Sequence, residues 1–199
     1  IYGDRYKVLD DSLYIIVNKF ELEREFRDVA ILKDRIYGIS RDGSKIYYNA
    51  FGKTPLYDGF PEENVITILQ EPFELNAIEG FSDKIWVSSS NKTYVIDKED
   101  EGIFAIVYEF PFGVSNKRHL QTTPVGVLLF SRGNVYLIDK NPVLISEPVR
   151  IQNLDFIFYI KELNSAGFKD GYFIYLFNFE YKNWIRLLTY PYSIYFVFN

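Results

Sequence analysis

A two-stranded phrase returns four times along these 199 residues, and few folds are built from such a return. The segments DRIYGISRDGSKIYY (34–48), DKIWVSSSNKTYVID (83–97), VGVLLFSRGNVYLID (125–139) and GYFIYLFNFEYKNWI (171–185) place Ile36, Ile85, Val127 and Tyr172 in register, at spacings of 49, 42 and 45 residues. Each phrase is rich in β-branched and aromatic residues, which suit a pleated, half-buried surface. The turn chemistry agrees: Asp42-Gly43 and Gly133-Asn134 supply the positive-φ positions that tight hairpins between right-twisted strands require. A repeat of roughly 40 to 50 residues built from short antiparallel strands has the period of one β-propeller blade. The expected fold is therefore all-β, a propeller-like array of about four to five antiparallel blades. A β-sandwich is the alternative, although it does not require one hairpin to recur at near-constant intervals.

Residues 1–199 read as a single domain, since no Ser/Gly-rich or low-complexity linker divides them. The period starts before residue 1 and runs past residue 199, and the chain has no methionine, so the expectation is a piece of a longer parent. Two segments fit the repeat less well. FELEREFRDVAILK (20–33) reads as an outer blade strand plus a loop. LDFIFYIKELN (154–164) spaces Leu154, Ile157, Phe158 and Ile160 or Lys161 at near-helical steps behind a possible N-cap, Asn153, which predicts one short helix.

The inventory of chemistry is thin. With no cysteine there is no disulfide, thiolate metal site or cysteine nucleophile. A single histidine, His119, removes multi-histidine metal sites. Ser115, Lys117, Arg118, Thr122 and Thr123 surround it in sequence, but no G-x-S-x-G elbow accompanies them, so His119 reads as structural. The acidic run Asp97, Glu99, Asp100, Glu101 departs from calcium-loop spacing and reads as a solvated turn after the strand 93–97. Asn91-Lys92-Thr93 is a glycosylation sequon with a high chance frequency. No glycine-rich phosphate loop occurs. No catalytic, cofactor-binding or metal-binding residue is therefore assigned, and no cofactor is expected. The net charge of −5 argues against gripping nucleic acid, because affinity for phosphate backbones comes from accumulated positive charge.

The order of phrases carries a resemblance. IYYNAFGKTPLYDGFPEENVITI (46–68), LNAIEGFSDKIWVSSSNKTYVID (75–97), FGVSNKRHLQTTPVGVLLFSRGNVYLIDKNPVLISEPV (112–149) and AGFKDGYFIYLFNFEYKNWI (166–185) follow one another. This succession resembles the β-propeller module of tail and neck proteins of tailed bacteriophages, notably the nozzle proteins of short-tailed phages. The resemblance implies a virion tail component, made in the host cytoplasm, that forms a homo-oligomeric ring with other tail or portal-adaptor proteins. The ring would be a conduit touching passing DNA only non-specifically, with no catalysis. Members of that family are usually much longer than 199 residues. Two other readings come from the residues themselves: a propeller presenting loops to a glycan or a partner protein, which an exposed Trp86 or Trp184 would favour, and a propeller glycosidase, which needs two carboxylates facing across a central channel.

Overall fold

The computed structural model describes residues 2–8, 14–21, 25–33, 35–49, 60–68, 72–100, 103–147, 151, 154–171, 173–190 and 193–197, with side chains described between 25 and 187 outside the gaps and positions 99 and 100. Among these residues the chain is all-β. A hairpin of β1 (Tyr2–Val8) and β2 (Tyr14–Glu21) comes first. Four antiparallel meanders follow. The first holds β3 (Phe26–Leu32), β4 (Arg35–Ser40), β5 (Ile46–Tyr48) and β6 (Val65–Ile66), paired in that order. The second holds β7 (Leu75–Phe81), β8 (Lys84–Ser89), β9 (Thr93–Asp100) and β10 (Ile103–Phe110). The third holds β11 (Leu120–Thr123), β12 (Gly126–Ser131), β13 (Asn134–Ile138) and β14 (Pro142–Leu144). The fourth has β15 (Leu154–Ile160), β16 (Ser165–Asp170), β17 (Phe173–Asn178), β18 (Asn183–Tyr190) and a fifth strand, β19 (Ser193–Val197). The sheets are blade-like: consecutive strands neighbour one another, and each sheet passes the chain on to the next.

The lead strands define how the sheets adjoin. β3 lies against β7, β7 against β11, and β11 against β15. The sheets also stack face to face in succession, so a middle sheet is covered on both sides. In β8, Ile85 and Val87 enter the core shared with the first sheet, whereas Trp86 between them enters the core shared with the third. β12 repeats the device, with Val127 and Leu129 facing back and Leu128 facing forward. Successive side chains of a strand point to opposite faces, so burial of both faces calls for continuous apolar runs rather than alternation. GVLLF and IWV are such runs.

Tight turns close the hairpins where the chain can enter positive φ. Ser82 and Asp83 (φ 51 and 62°) join β7 to β8, and Arg132 and Gly133 (φ 50 and 83°) join β12 to β13. The second turn is thus one residue earlier than Gly133-Asn134, and Asn134 already opens β13. Pairs of positive-φ residues match the right-handed twist of the strands they connect.

Three expectations need correction. Residues 154–160 form the lead strand β15, and only Lys161–Leu163 coil, as a single 3₁₀ turn ended by Asn164 at φ 43°. The five-residue run Phe156–Ile160 is entirely aromatic or β-branched, and pairing with β16 overrides its helical spacing. Asn153 lies outside the described residues. Within 20–33, β3 is a lead strand rather than an outer one. The fourth phrase falls one strand late in the repeat: 171–185 spans β17 and β18, whereas the counterparts of β4–β5, β8–β9 and β12–β13 are β16–β17. Ala166 therefore stands where Ile36, Ile85 and Val127 stand, and Tyr172 lies outside the described residues.

Candidate functional site

The seam where β3, β7 and β11 run side by side concentrates the unusual polar chemistry. It begins with consecutive residues of β3. Arg27 donates from Nη1 to the Leu75 carbonyl (3.3 Å) and to Asn76 Oδ1 (3.2 Å), and from Nη2 to Glu74 Oε2 (2.7 Å) and the Arg41 carbonyl (3.1 Å). Asp28 Oδ2 accepts the Ile78 amide at 2.9 Å. One strand thus holds the next through a cation on its carbonyls and a carboxylate on its amide. The Leu75 amide donates to the Gly43 carbonyl in the β4–β5 turn (2.9 Å), fixing the start of β7. Polar backbone groups of a strand edge need partners when covered, and these side chains supply them.

Glu79 sits two residues past Asn76's neighbour Ala77 on β7, with Thr122 of β11 giving it a long hydrogen bond (3.5 Å). Burial, then the Asp28 charge, push the Glu79 carboxyl up to about 7. Asp28 is also raised, by burial, against the lowering pull of the Ile78 and Val29 amides and of Lys117. Two carboxylates 51 positions apart therefore share one seam, in a place where ionising both is unfavourable. The glycosidase reading asked for paired carboxylates; this pair stands on neighbouring strands. The cavities have other linings. A groove of about 580 Å³ is bounded by Ile66, Ile68, Ile106, Val107 and Tyr108, one of about 470 Å³ by Phe26, Arg41 and Tyr47, and one of about 310 Å³ by Asp42, Thr67, Pro72, Phe73 and Glu74.

His119 is buried on the 3₁₀ turn Lys117–His119, while Lys117 and Arg118 beside it are exposed, so the basic cluster divides. The imidazole lies edge-on to Phe130 (5.2 Å), is hydrogen-bonded to the Leu154 backbone and leaves Nδ1 without a partner. Burial lowers its pKa and favours the neutral ring. Those contacts include neither a nucleophile nor a carboxylate. Ser115 is exposed, and the Thr123 hydroxyl donates to the Gly126 carbonyl (2.8 Å).

The remaining candidates settle into the framework. β9 continues to Asp100, so Asp97, Glu99 and Asp100 belong to a paired strand rather than a turn; Asp97 pairs with Lys84, while Glu101 lies outside the described residues. Among the described residues no group of three or more histidine, cysteine or acidic side chains is placed to hold a metal. In the sequon, Thr93 is fully buried and donates to the Phe112 carbonyl (3.0 Å). Gly126, at φ 150°, would bring a Cβ to 2.7 Å from the Ile138 carbonyl, a close approach within its own sheet. Pro148 lies outside the described residues, as do the side chains of Tyr190, Tyr192, Tyr195 and Phe196.

Trp86 is buried and stacks on Phe110 (5.9 Å, 10°), which removes it as a sugar platform. Trp184 is half-buried, donating Nε1 to the Ile145 carbonyl at 2.9 Å. The Trp86 indole N–H has no partner among the described residues. An unmade buried hydrogen bond costs about 1–3 kcal/mol, so phenylalanine, lacking the N–H, offsets part of the lost ring area. Trp86→Phe is expected to destabilise by under about 1.5 kcal/mol in urea denaturation, against about 3–5 kcal/mol for Trp86→Ala. Equal losses in the two variants would show that the indole N–H is satisfied.

No protein-family model matches the chain, and no curated protein matches it in sequence. Its fold is similar to part of PorZ, described as an essential bacterial surface component of the type-IX secretion system of human oral-microbiomic Porphyromonas gingivalis. The TM-score is 0.53 at 13% identity, covering 92% of this chain and 22% of PorZ. This chain thus spans about a fifth of PorZ's length. The hemopexin-fold protein CP4 from cow pea and the 2S albumin seed protein from Dolichos align with TM-scores of 0.36, at 13% and 14% identity. These two cover 88% and 87% of this chain and 92% of their own chains, a likeness too low to bear on the fold.

Proposed function

We propose that the chain is a run of β-propeller blades that serves as an assembly scaffold, acting by contact and not by catalysis. The successive lead strands β3, β7, β11 and β15 are read as the strands nearest a common axis. A two-layer sandwich gives each sheet one packed face, whereas the second and third sheets here bury both. The fold likeness to PorZ supports an all-β scaffold and leaves the biological setting open.

The observation that carries the scaffold reading is the surface of the outermost strands. β10 exposes Ile103, Ile106, Val107 and Tyr108, and β14 exposes Val143 and Leu144. Soluble strands at a sheet edge usually carry charge or proline to discourage pairing, and contiguous exposed apolar surface marks interaction sites. The setting we propose is the tail conduit of a bacteriophage, supported by the order of phrases over 46–185. Ring assembly of the chain in its parent is part of that proposal, as is an acidic surface that lets DNA pass.

Sedimentation equilibrium of the chain over a hundredfold concentration range tests the scaffold reading. Concentration-dependent association is expected, and Ile106→Lys with Val107→Glu is expected to weaken it at least tenfold without changing the circular dichroism. A chain that stays monomeric throughout counts against self-assembly. Mass spectrometry of purified virions tests the setting separately, and absence of this chain from them would remove the tail reading while leaving the scaffold.

A further inference from the structure

The outer edge of the second sheet differs from the edges beside it. β10 runs for eight residues and pairs only with β9 among the described strands, whereas the outermost strands of the first and third sheets, β6 and β14, have two and three residues. A strand at an edge turns the N–H and C=O groups of alternate residues away from its one neighbour. In β10, IFAIVYEF, the residues that usually discourage a further strand are nearly missing: there is no proline or lysine, and the one charge, Glu109, is paired with Lys92. We propose that β10 pairs antiparallel with β10 of a second copy about a two-fold axis, joining two four-stranded sheets into one continuous sheet. This proposal rests on the scaffold reading and names the contact that the scaffold uses.

The order of side chains along β10 is what selects a second copy. Phe104 packs with Tyr37 and Tyr48 (6.5 and 5.0 Å between ring centroids), and Ile106, Val107 and Glu109 line the groove on that same side, toward the first sheet. Phe110 enters the core shared with the third sheet, and Tyr108, which rims the groove, stands opposite Val95 of that core. Alternation puts Ile103 and Ala105 on the third-sheet side as well. It is broken once, at Val107, which has no partner on β9: the register shifts between Ile106 and Tyr108, and the consecutive residues Ile106 and Val107 both face the groove. From Ile103 to Phe110 the faces therefore run third, first, third, first, first, third, first, third. That order is the same read from either end.

A two-fold antiparallel pair needs this symmetry, because residues opposite one another share a face. One register satisfies it throughout: Ile103 opposite Phe110, Phe104 opposite Glu109, Ala105 opposite Tyr108, and Ile106 opposite Val107. A slip of one residue sets Phe104 or Ile106 against Tyr108, and a slip of two sets Ala105 against Ile106 or Val107 against Tyr108. A partner strand with unbroken alternation loses the match at Val107, so the bulge that would otherwise protect this edge favours its own copy. Charge agrees with the register. The two Glu109 side chains stand five residues apart along the pair, about 17 Å at the rise of a strand, beyond the roughly 8 Å over which exposed charges act at physiological salt. Each lies beside Phe104 of the other copy, whose neighbour on β9 is Lys98.

The pairing covers Ile103, Ile106, Val107 and Tyr108 in both copies, the exposed apolar residues of the strand. On the groove side, Ile66 and Ile68 offer an apolar wall to the incoming Ile106 and Val107. A contact of this kind is isologous and closes on itself, so it links two chains and goes no further. A ring needs a second, different contact, and Val143 and Leu144 on β14 remain exposed for one.

The chain has no cysteine, so introduced thiols report the register without interference. Ala105→Cys and Tyr108→Cys chains, mixed in equal amounts and oxidised, are expected to give at least ten times more disulfide-linked dimer than Ala105→Cys mixed with Glu109→Cys, or than Ala105→Cys alone. In the unaltered 199-residue chain, amide exchange within β10 is expected to slow at least tenfold between the dilute and concentrated ends of the sedimentation range, while the turn at Arg132 and Gly133 is unchanged; this measurement needs no variant to fold. Association in which the β10 amides do not slow overturns the strand pairing and leaves the scaffold reading standing. So does linkage that fails to prefer the first mixture, or that prefers Ala105→Cys with Val143→Cys and makes β14 the partner strand. A chain that stays monomeric counts against both.

Discussion

Gly113→Ala is expected to destabilise the chain by about 3 kcal/mol or more, measured by urea denaturation. An added Cβ would sit 2.1 Å from the Ser89 carbonyl, 2.7 Å from the Lys92 nitrogen and 2.9 Å from the Asn91 nitrogen. All three are backbone atoms of the turn between β8 and β9, so no flexible side chain can swing aside. Retreat of the connector is blocked as well. The adjoining Val114 amide donates to the Ser89 carbonyl (2.8 Å) and the Ser88 hydroxyl (3.0 Å), and the Val114 carbonyl accepts from Asn76 Nδ2 (2.9 Å). Either the turn opens or these hydrogen bonds break. A cost under about 1 kcal/mol would mean that the connector is not pressed onto the turn, and the account of this joint would fail.

The joint illustrates how the sheets are chained. Val114 follows the second sheet and meets the turn after β8, just as Leu75 follows the first sheet and meets Gly43 in the turn after β4. In both cases the segment that leads into the next sheet hydrogen-bonds to the turn joining the second and third strands of the sheet it has just left. A repeated backbone contact of this kind sets the step from sheet to sheet without relying on any one side chain.

The hairpins were legible because their information is local. Asp42-Gly43 marks a turn, Gly133-Asn134 marks a second to within one residue, and the β-branched and aromatic runs on either side mark the strands. The fourth sheet was harder to place. Nearly every residue from 154 to 160 is apolar, which hides a period of two, and FIYLFN and NWIRLL read equally well as either hairpin arm. Its register was decided by pairing: Ala166 opposes Phe177, and Gly167 opposes both Phe158 and Leu176, on strands that the sequence does not rank.

The carboxylate pair was not legible at all. Asp28 stands in FRDVAIL and Glu79 in LNAIEGF, each a single acidic residue in an apolar strand, where the ordinary reading is a side chain turned to water. Only the adjoining of β3 and β7, a contact between residues 50 apart, shows that Asp28 is spent on the Ile78 amide and that Glu79 has little else nearby. Electrostatic coupling of this sort belongs to tertiary structure, and composition, with a net charge of −5, gives no hint of it.

Phe168→Ala is expected to be the costlier of the core truncations in the last sheet, by about 3–5 kcal/mol. Phe168 is 1% exposed on β16, stacks on Tyr175 (5.0 Å, 23°) and meets Trp184 edge-on (5.3 Å, 64°). Its cluster joins Leu128 and Val135 of the third sheet to Ile157 and Ala166 of the fourth, so the ring is shared between two sheets. Ring atoms removed here leave a void walled by strands that are hydrogen-bonded on both sides and have little freedom to close in. If the chain is a succession of sheets held mainly by nearest neighbours, the damage stays local. Amide exchange in the variant should then rise in β16 and β17 while β4 and β5 keep their protection. A uniform rise through all four sheets would show that the array opens as one unit, and the sheet-by-sheet account of its packing would have to be given up.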